Sequence, residues 1–180
     1  DFAFQSYPLP ADKFGSSPEV SDVVIQNQDR IWFSAPGAQA IGSFRPSYWP
    51  WSPVAFSPGS DPSGITPQSI IFTQGYPWFT DDSGNQIGKF FPQTIALFDF
   101  YAVPEPNAGV YDLTAAGNNV YFSARDAGQV GRLNTKSRSV LMYDVPNSRP
   151  LGMDADSSGH VWIADSDGDK ILEWRAPYFY

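Results

Sequence analysis

Apolar residues in this chain fall in short runs, many rich in β-branched and aromatic side chains. The runs are bounded by Gly, Asp, Asn and Ser, and no stretch beyond a few residues repeats with a helical period. That pattern predicts strands joined by tight turns. Near the end of the chain, Met153 to Asp156, Val161 to Ala164 and Lys170 to Trp174 read as three strands. Ser157-Ser158-Gly159 and Asp167-Gly168 separate them, and Ser-Gly and Asp-Gly supply the positive φ that hairpin turns require.

The same unit occurs four times. An aromatic on a second strand is followed nine residues later by a β-branched residue opening a third: Trp32 and Ile41, Trp78 and Ile87, Tyr121 and Val130, Trp162 and Ile171. The second strands read Ile31-Trp-Phe-Ser-Ala35, Pro77-Trp-Phe-Thr-Asp81, Val120-Tyr-Phe-Ser-Ala124 and Val161-Trp-Ile-Ala-Asp165. The third strands read Ala40-Ile-Gly-Ser-Phe44, Gln86-Ile-Gly-Lys-Phe90, Gln129-Val-Gly-Arg-Leu133 and Lys170-Ile-Leu-Glu-Trp174. Successive units are 46, 43 and 41 residues apart, the period of a four-stranded propeller blade. A fourth strand is marked by Tyr101-Ala-Val-Pro104 and Tyr143-Asp-Val-Pro146.

The expected fold is therefore all-β, a single domain forming a propeller of four blades of four antiparallel strands. The blades cover about residues 19–56, 67–104, 110–146 and 150–180. A third copy of the outer-strand motif, Tyr7-Pro-Leu-Pro10, stands ahead of the first unit, while the last unit runs out at Tyr178-Phe-Tyr180. Residues 2–7 are thus expected to supply the missing outer strand of the last blade and close the ring, removing exposed sheet edges. The alternative is a sector of a larger propeller, completed by a second chain or by further sequence. The first unit departs from the repeat at Arg45 to Phe56, where Pro46, Pro50 and Pro53 predict that no regular outer strand forms.

The motifs Pro150-Leu-Gly-Met-Asp154, Gly159-His-Val-Trp162, Gln129-Val-Gly-Arg132 and Tyr143-Asp-Val-Pro146 resemble the blades of streptogramin B lyase-like propellers and, more loosely, of NHL-repeat propellers. The resemblance covers nearly the whole chain and specifies a blade rather than an activity. For a lyase it implies a His and Glu constellation with a divalent cation near the axis. His160 is the one histidine, and the glutamates are Glu19, Glu105 and Glu173. No acid–base pair assembles from them in sequence, so His160 reads as a surface turn residue.

Composition narrows the classes. The chain has 180 residues, 42% hydrophobic and 16% aromatic, enough for one core with aromatic packing between sheets. The net charge of −8 repels phosphate backbones. Arg125, Arg132, Lys136 and Arg138 form the one basic cluster and read as a solvated turn region, so no nucleic-acid partner is expected. No apolar run is long enough to span a bilayer. Cysteine is absent, which leaves no disulfide or thiol chemistry. The chain opens on Asp1 without a leader pattern and reads as a processed or trimmed chain, secreted or displayed at the cell surface.

Three sets of side chains are site candidates. Inner strands line the axis of a propeller, placing Asp22, Gln68, Asp112 and Asp154 at the channel mouth. Tyr48, Trp49 and Trp51 are candidates for an aromatic platform that takes a protein or glycan partner. Asp154, Asp156 and Ser158, followed by Gly159, open with calcium-loop spacing, although the twelfth loop position is Asp165 and not Glu. The leading expectation is a non-catalytic binding or scaffold propeller that could form homo-oligomers. The alternative is a metal-dependent lyase or lactonase acting at the channel mouth.

Overall fold

The computed structural model describes residues 3–50, 52–58, 64–93 and 97–175. After a short helix α1 (Ala11–Phe14), fifteen strands among the described residues form four antiparallel meanders. The first blade is β1 (Asp22–Asn27), β2 (Arg30–Ala35), β3 (Ala40–Phe44) and β4 (Val54–Phe56). The second is β5 (Pro67–Thr73), β6 (Tyr76–Asp81), β7 (Gln86–Phe91) and β8 (Leu97–Ala102). The third is β9 (Val110–Ala116), β10 (Asn119–Ala124), β11 (Gln129–Asn134) and β12 (Val140–Asp144). The fourth is β13 (Pro150–Ala155), β14 (Val161–Asp165) and β15 (Lys170–Trp174). Among the described residues no helix is long and apolar enough to cross a membrane.

The repeat positions noted in the sequence are the seams between blades. Trp32 and Ile41 of the first blade pack on Ile70, Phe79 and Phe90 of the second. Trp78, Ile87 and Tyr101 of the second pack on Leu113, Phe122 and Leu133 of the third. Tyr121 and Val130 of the third pack on Val161 and Ile163 of the fourth, with Leu172 and Trp174 alongside. Each second strand thus sends one aromatic to the next blade and the adjacent residue to the previous one, because side chains alternate across a pleated sheet. The tyrosines of the outer-strand motif share this job. Tyr101 stacks on Trp78 with ring centroids 5.6 Å apart, and Phe56 takes the equivalent place opposite Ile41.

The glycines of the Ile-Gly motif have a packing role. Phe33, Phe79 and Phe122 stand directly across from Gly42, Gly88 and Gly131 in the ladder. Each ring lies over its glycine so closely that any Cβ there would fall inside it. In the fourth blade the pair becomes Ile163 and Leu172, a smaller side chain facing a larger one.

The structure departs from the sequence pattern at two places. The first blade does have an outer strand, β4, which begins immediately after Pro53, where the run of prolines ends. Among the described residues the closing strand is not formed. Residues 3–10 contain no strand, and β15 has β14 as its one strand neighbour among the described residues. Instead Tyr7 packs on Phe44 and Trp49, and Phe14 buries its ring against Phe33 at a centroid distance of 5.4 Å. Lys13 anchors the segment by donating to the Pro53 carbonyl at 2.9 Å. The N-terminal segment covers its own first blade because Phe33, Ala35 and Phe44 form an apolar face that no preceding blade shields. Phe2 and Tyr178 to Tyr180 lie outside the described residues. Inner strands pack β1 on β5, β5 on β9 and β9 on β13, and no comparable packing among the described residues joins β13 back to β1.

Candidate functional site

The axial wall is built by β1, β5, β9 and β13, and its polar residues are tied across blades. Ser69 Oγ lies 2.7 Å from Asp22 Oδ2 and 2.7 Å from Asp112 Oδ1. Asp22 Oδ2 also accepts the Ile70 N–H at 2.8 Å, and Asp112 Oδ2 accepts the Met153 N–H at 2.7 Å. Each carboxylate therefore fastens its own blade to the inner strand of the next. A hydroxyl carries one hydrogen, so Ser69 donates to one carboxylate and accepts from the other only when that carboxyl is protonated. Burial pushes the Asp112 carboxyl above its ordinary range, against the hydrogen bonds from Ser69, Met153 and Leu113, and the nearby Asp22 charge adds to the rise.

A pH dependence follows. A carboxyl whose pKa is raised on folding adds stability that is full below the unfolded value and is lost as pH rises through the folded one. The melting temperature of Asp112→Asn relative to the native chain is therefore expected to improve as pH goes from about 4 to 7. A difference that stays constant across that range in thermal melts would refute the proton shared through Ser69.

The sequence-predicted channel residues are only partly brought together. Asp22 and Asp112 meet through Ser69, which sequence reading passed over in favour of Gln68. A bulge between Pro67 and Ile70 shifts the register, so the Gln68 carbonyl instead accepts from Ser21 and Ser34. In the fourth blade the bulge between Pro150 and Met153 puts Gly152 at the equivalent place, and Asp154 lies two residues along, exposed.

The calcium-type run is spent on its own hairpin. Asp156 Oδ1 accepts the N–H groups of Ser158 and His160 at 2.8 and 3.0 Å, and Oδ2 accepts the Trp162 indole N–H at 3.2 Å. Asp154 accepts the Ala155 N–H and faces Thr114. Among the described residues no three His, Cys, Asp or Glu side chains form a group that could hold a metal ion. At the axis, Asp22 and Asp112 face N–H and O–H hydrogens where a cation would need lone pairs, so these residues do not fit the divalent cation that the lyase resemblance implies.

The second acidic turn is also a fastening device. Asp165 accepts the Arg149 N–H at 2.8 Å and lies 3.2 Å from the Lys170 ammonium. Although burial pushes it upward, these donors bring the Asp165 carboxyl down to about 2.

His160 has partners that the sequence did not reveal. Its Nδ1 lies 3.3 Å from both Asp156 Oδ2 and Glu173 Oε1, and Arg175 grips Glu173 through two nitrogens at 2.9 and 3.0 Å. The β14–β15 register, pairing Val161 with Trp174 and Trp162 with Glu173, brings them together. The nine-residue anchor spacing contained that register.

Of the aromatic platform, Tyr48 is exposed, with the Arg45 guanidinium 5.8 Å from its ring centre. Trp49 is half-buried against Tyr7 and Phe44, and Trp51 lies outside the described residues.

One hollow carries no signature in the sequence. A groove of about 770 Å³ runs between the third and fourth blades, lined by Arg125, Asp126, Asp144, Asn147, Arg149 and Asp167, among others. Arg149 pairs with Asp126 at 3.3 Å and Arg125 with Asp82 at 3.5 Å, while the Arg125 guanidinium sits over the Tyr111 ring. The basic cluster read from the sequence is dispersed over blade three, with Arg138 held by Asp99 and the Tyr101 ring. The β10–β11 turn and the β12–β13 connection supply most of the groove lining. It is visible only once neighbouring blades are side by side.

Four antiparallel meanders packed face to face in series define the class, a β-propeller. Within that class the chain shares its fold with streptogramin B lyases, as its blade motifs imply. A catalytically inactive virginiamycin B lyase from Staphylococcus aureus, solved with quinupristin, superposes with a TM-score of 0.73 at 20% identity, over 91% of this chain and 57% of that one. A streptogramin B lyase gives 0.73 at 22% identity, over 89% and 56%. A putative 6-phosphogluconolactonase from Bacteroides uniformis gives 0.70 at 16%, over 97% and 56%. The chain thus spans a little over half the length of these proteins. No family model and no curated protein matches it.

Proposed function

We propose that this chain is a non-catalytic binding propeller that takes a polar segment of a protein or glycan partner into the groove between its third and fourth blades. The observation that carries this reading is the groove itself, with the guanidiniums of Arg125 and Arg149 set among the carboxylates of Asp126, Asp144 and Asp167. Forked guanidinium donors beside acceptor oxygens suit hydroxyls, amides and carboxylates of a ligand. The position between packed blades also supplies rigid walls, which lowers the ordering cost of binding. The exposed Tyr48 offers a second, aromatic contact.

The test is a screen of the chain against a glycan array and a display library of mixed-charge peptides, followed by titration of the best binder. Arg149→Ala combined with Asp144→Ala is expected to weaken that binder at least tenfold, or about 1.4 kcal/mol, with the melting temperature little changed. Retained affinity in this variant together with loss in Tyr48→Ala would move the site to the aromatic loop and refute the groove. A metal-dependent lyase or lactonase at the channel mouth is the weaker reading, because backbone N–H groups and the Ser69 hydroxyl already occupy most acceptor positions of the Asp22 and Asp112 carboxylates.

A further inference from the structure

The first three blades turn from their second to their third strand through the same backbone conformation. Two residues ahead of Ile41, Ile87 and Val130 the chain enters the left-handed region, at Gln39, Asn85 and Gly128, with φ of 52°, 49° and 64°. Gln39 and Asn85 carry a carboxamide, and each sets it against the connection to the next blade. The Gln39 amide lies over Gly64 in the β4–β5 connection, where a Cβ on that glycine would fall 2.6–2.8 Å from its atoms. Asn85 spans the gap to the β8–β9 connection. Its Oδ1 accepts the Ala108 N–H at 2.9 Å, and its Nδ2 donates to the Val103 and Glu105 carbonyls at 3.2 and 2.8 Å.

The third blade keeps this backbone frame without the amide. Val145 donates to the Gly128 carbonyl at 2.9 Å, as Val103 does to the Asn85 carbonyl at 3.0 Å. Both connections then pass through a left-handed asparagine three residues before the next inner strand, Asn107 (φ 53°) and Asn147 (φ 52°). Ser148 therefore stands where Ala108 does, and Val145 where Val103 does. Among the described residues neither the Ser148 N–H nor the Val145 carbonyl has a hydrogen-bond partner. The Ser148 and Val145 carbonyl oxygens lie 3.1 and 3.9 Å from where a Cβ on Gly128 would be. Gly128, Val145 and Ser148 all line the groove of about 770 Å³.

We propose that this part of the groove is a subsite for a primary carboxamide, the side chain of an asparagine or glutamine in a peptide partner. The ligand amide does on the third blade what Asn85 does on the second. Its oxygen accepts the Ser148 N–H, and its nitrogen donates to the Val145 and Ser148 carbonyls. A carboxylate has no hydrogen to offer those carbonyls, and an ammonium has no lone pair for the N–H. The N-acetyl group of a sugar has a single N–H where Asn85 uses two, which favours a peptide over a glycan. The inference rests on the groove being the binding site and narrows its polar ligand to one kind of side chain.

Residue-resolved NMR titration of the 180-residue chain tests it. The probes are acetylated Gly-Gly-Xaa-Gly-Gly peptides closed as methylamides, so that Xaa alone can bear a primary carboxamide. Asn and Gln at Xaa are expected to shift the Ser148 N–H resonance saturably, and Asp and Leu to bind at least about tenfold more weakly. Gly128→Asn supplies the amide from the chain itself, at a backbone angle that asparagine accepts, and should abolish the shift. Asn85→Gly gives the converse reading independently of how that variant folds: the Asn peptide should then shift the Ala108 N–H as well. Equal shifts from all four peptides, or unchanged Asn-peptide binding in folded Gly128→Asn, overturn the amide subsite. So does the absence of any shift with the Asn peptide, while the groove itself stands or falls separately on the Arg149→Ala, Asp144→Ala variant. A shift with N-acetylglucosamine and none with the Asn peptide overturns the inference in favour of an acetamido group.

Discussion

Gly131→Ala is expected to destabilise the protein by about 3 kcal/mol, at the upper end of the usual overpacking cost. The residue faces Phe122 across the β10–β11 ladder, and a Cβ there would fall inside the aromatic ring. The ring cannot swing away, because Phe122 is fully buried among Leu113, Leu133 and Trp78 at the seam between the second and third blades. Backbone strain plays no part, as Gly131 is not among the glycines with positive φ. The fourth blade shows the compensating pair, Ile163 with Leu172. Phe122→Ile alone is expected to cost about 1–3 kcal/mol through the space it leaves, and the double variant should lose less than the two singles together. A coupling of about 1 kcal/mol or more in urea titrations is the expected result, within the range for residues in direct contact. Strict additivity would show that the ring and the glycine are independent. An unchanged midpoint for Gly131→Ala would show that the seam is loosely packed.

Phe14→Ala should cost about 3–4 kcal/mol, the range for deleting a buried aromatic ring. Phe14 is 1% exposed although it belongs to a four-residue helix with no side-chain cap. Such a helix has little stability of its own, so its position depends on the Phe14 ring resting on Phe33 and Ala35 and on the Lys13 bond to the Pro53 carbonyl. Truncating the ring uncovers Phe33 and Ala35 on the outer face of the first blade. Amide exchange in β2 and β3 is expected to quicken before that in β10 and β11, which lie between two blades. Uniform acceleration across all four blades would instead mean that the N-terminal segment supports the molecule globally. Lys13→Ala, which removes the anchor and leaves the ring, should have a much smaller effect.

The strand sequence, the blade period and the identity of the seam residues were legible in the chain because each rests on local rules. Alternation assigns the faces of a strand, and Gly with Asp marks turns. The nine-residue spacing from Trp162 to Ile171 already implies the hairpin register that sets Glu173 beside His160. The candidate sites were less legible. Strand position points to Gln68 rather than Ser69 because a β-bulge adds a residue that no local signal announces. The Asp-rich runs looked like cation loops because the oxygens that bind a cation are the same ones that cap a turn, and only geometry shows which donors reach them.

What the residues determined by themselves is the blade: four meanders, an aromatic sent to each side, and glycines opposite phenylalanines. What only the tertiary structure decided is how the blades end and what lies between them. The outer-strand motif at Tyr7 matched two others by residue type, yet Tyr7 went to Phe44 and Trp49 instead of the last blade. An uncovered apolar face close by in the chain is a nearer partner than a sheet edge four blades away, and closing so long a loop carries an entropy cost. Trp162 stays partly exposed for another reason: its burial depends on a neighbouring sheet that no residue of its own blade can supply.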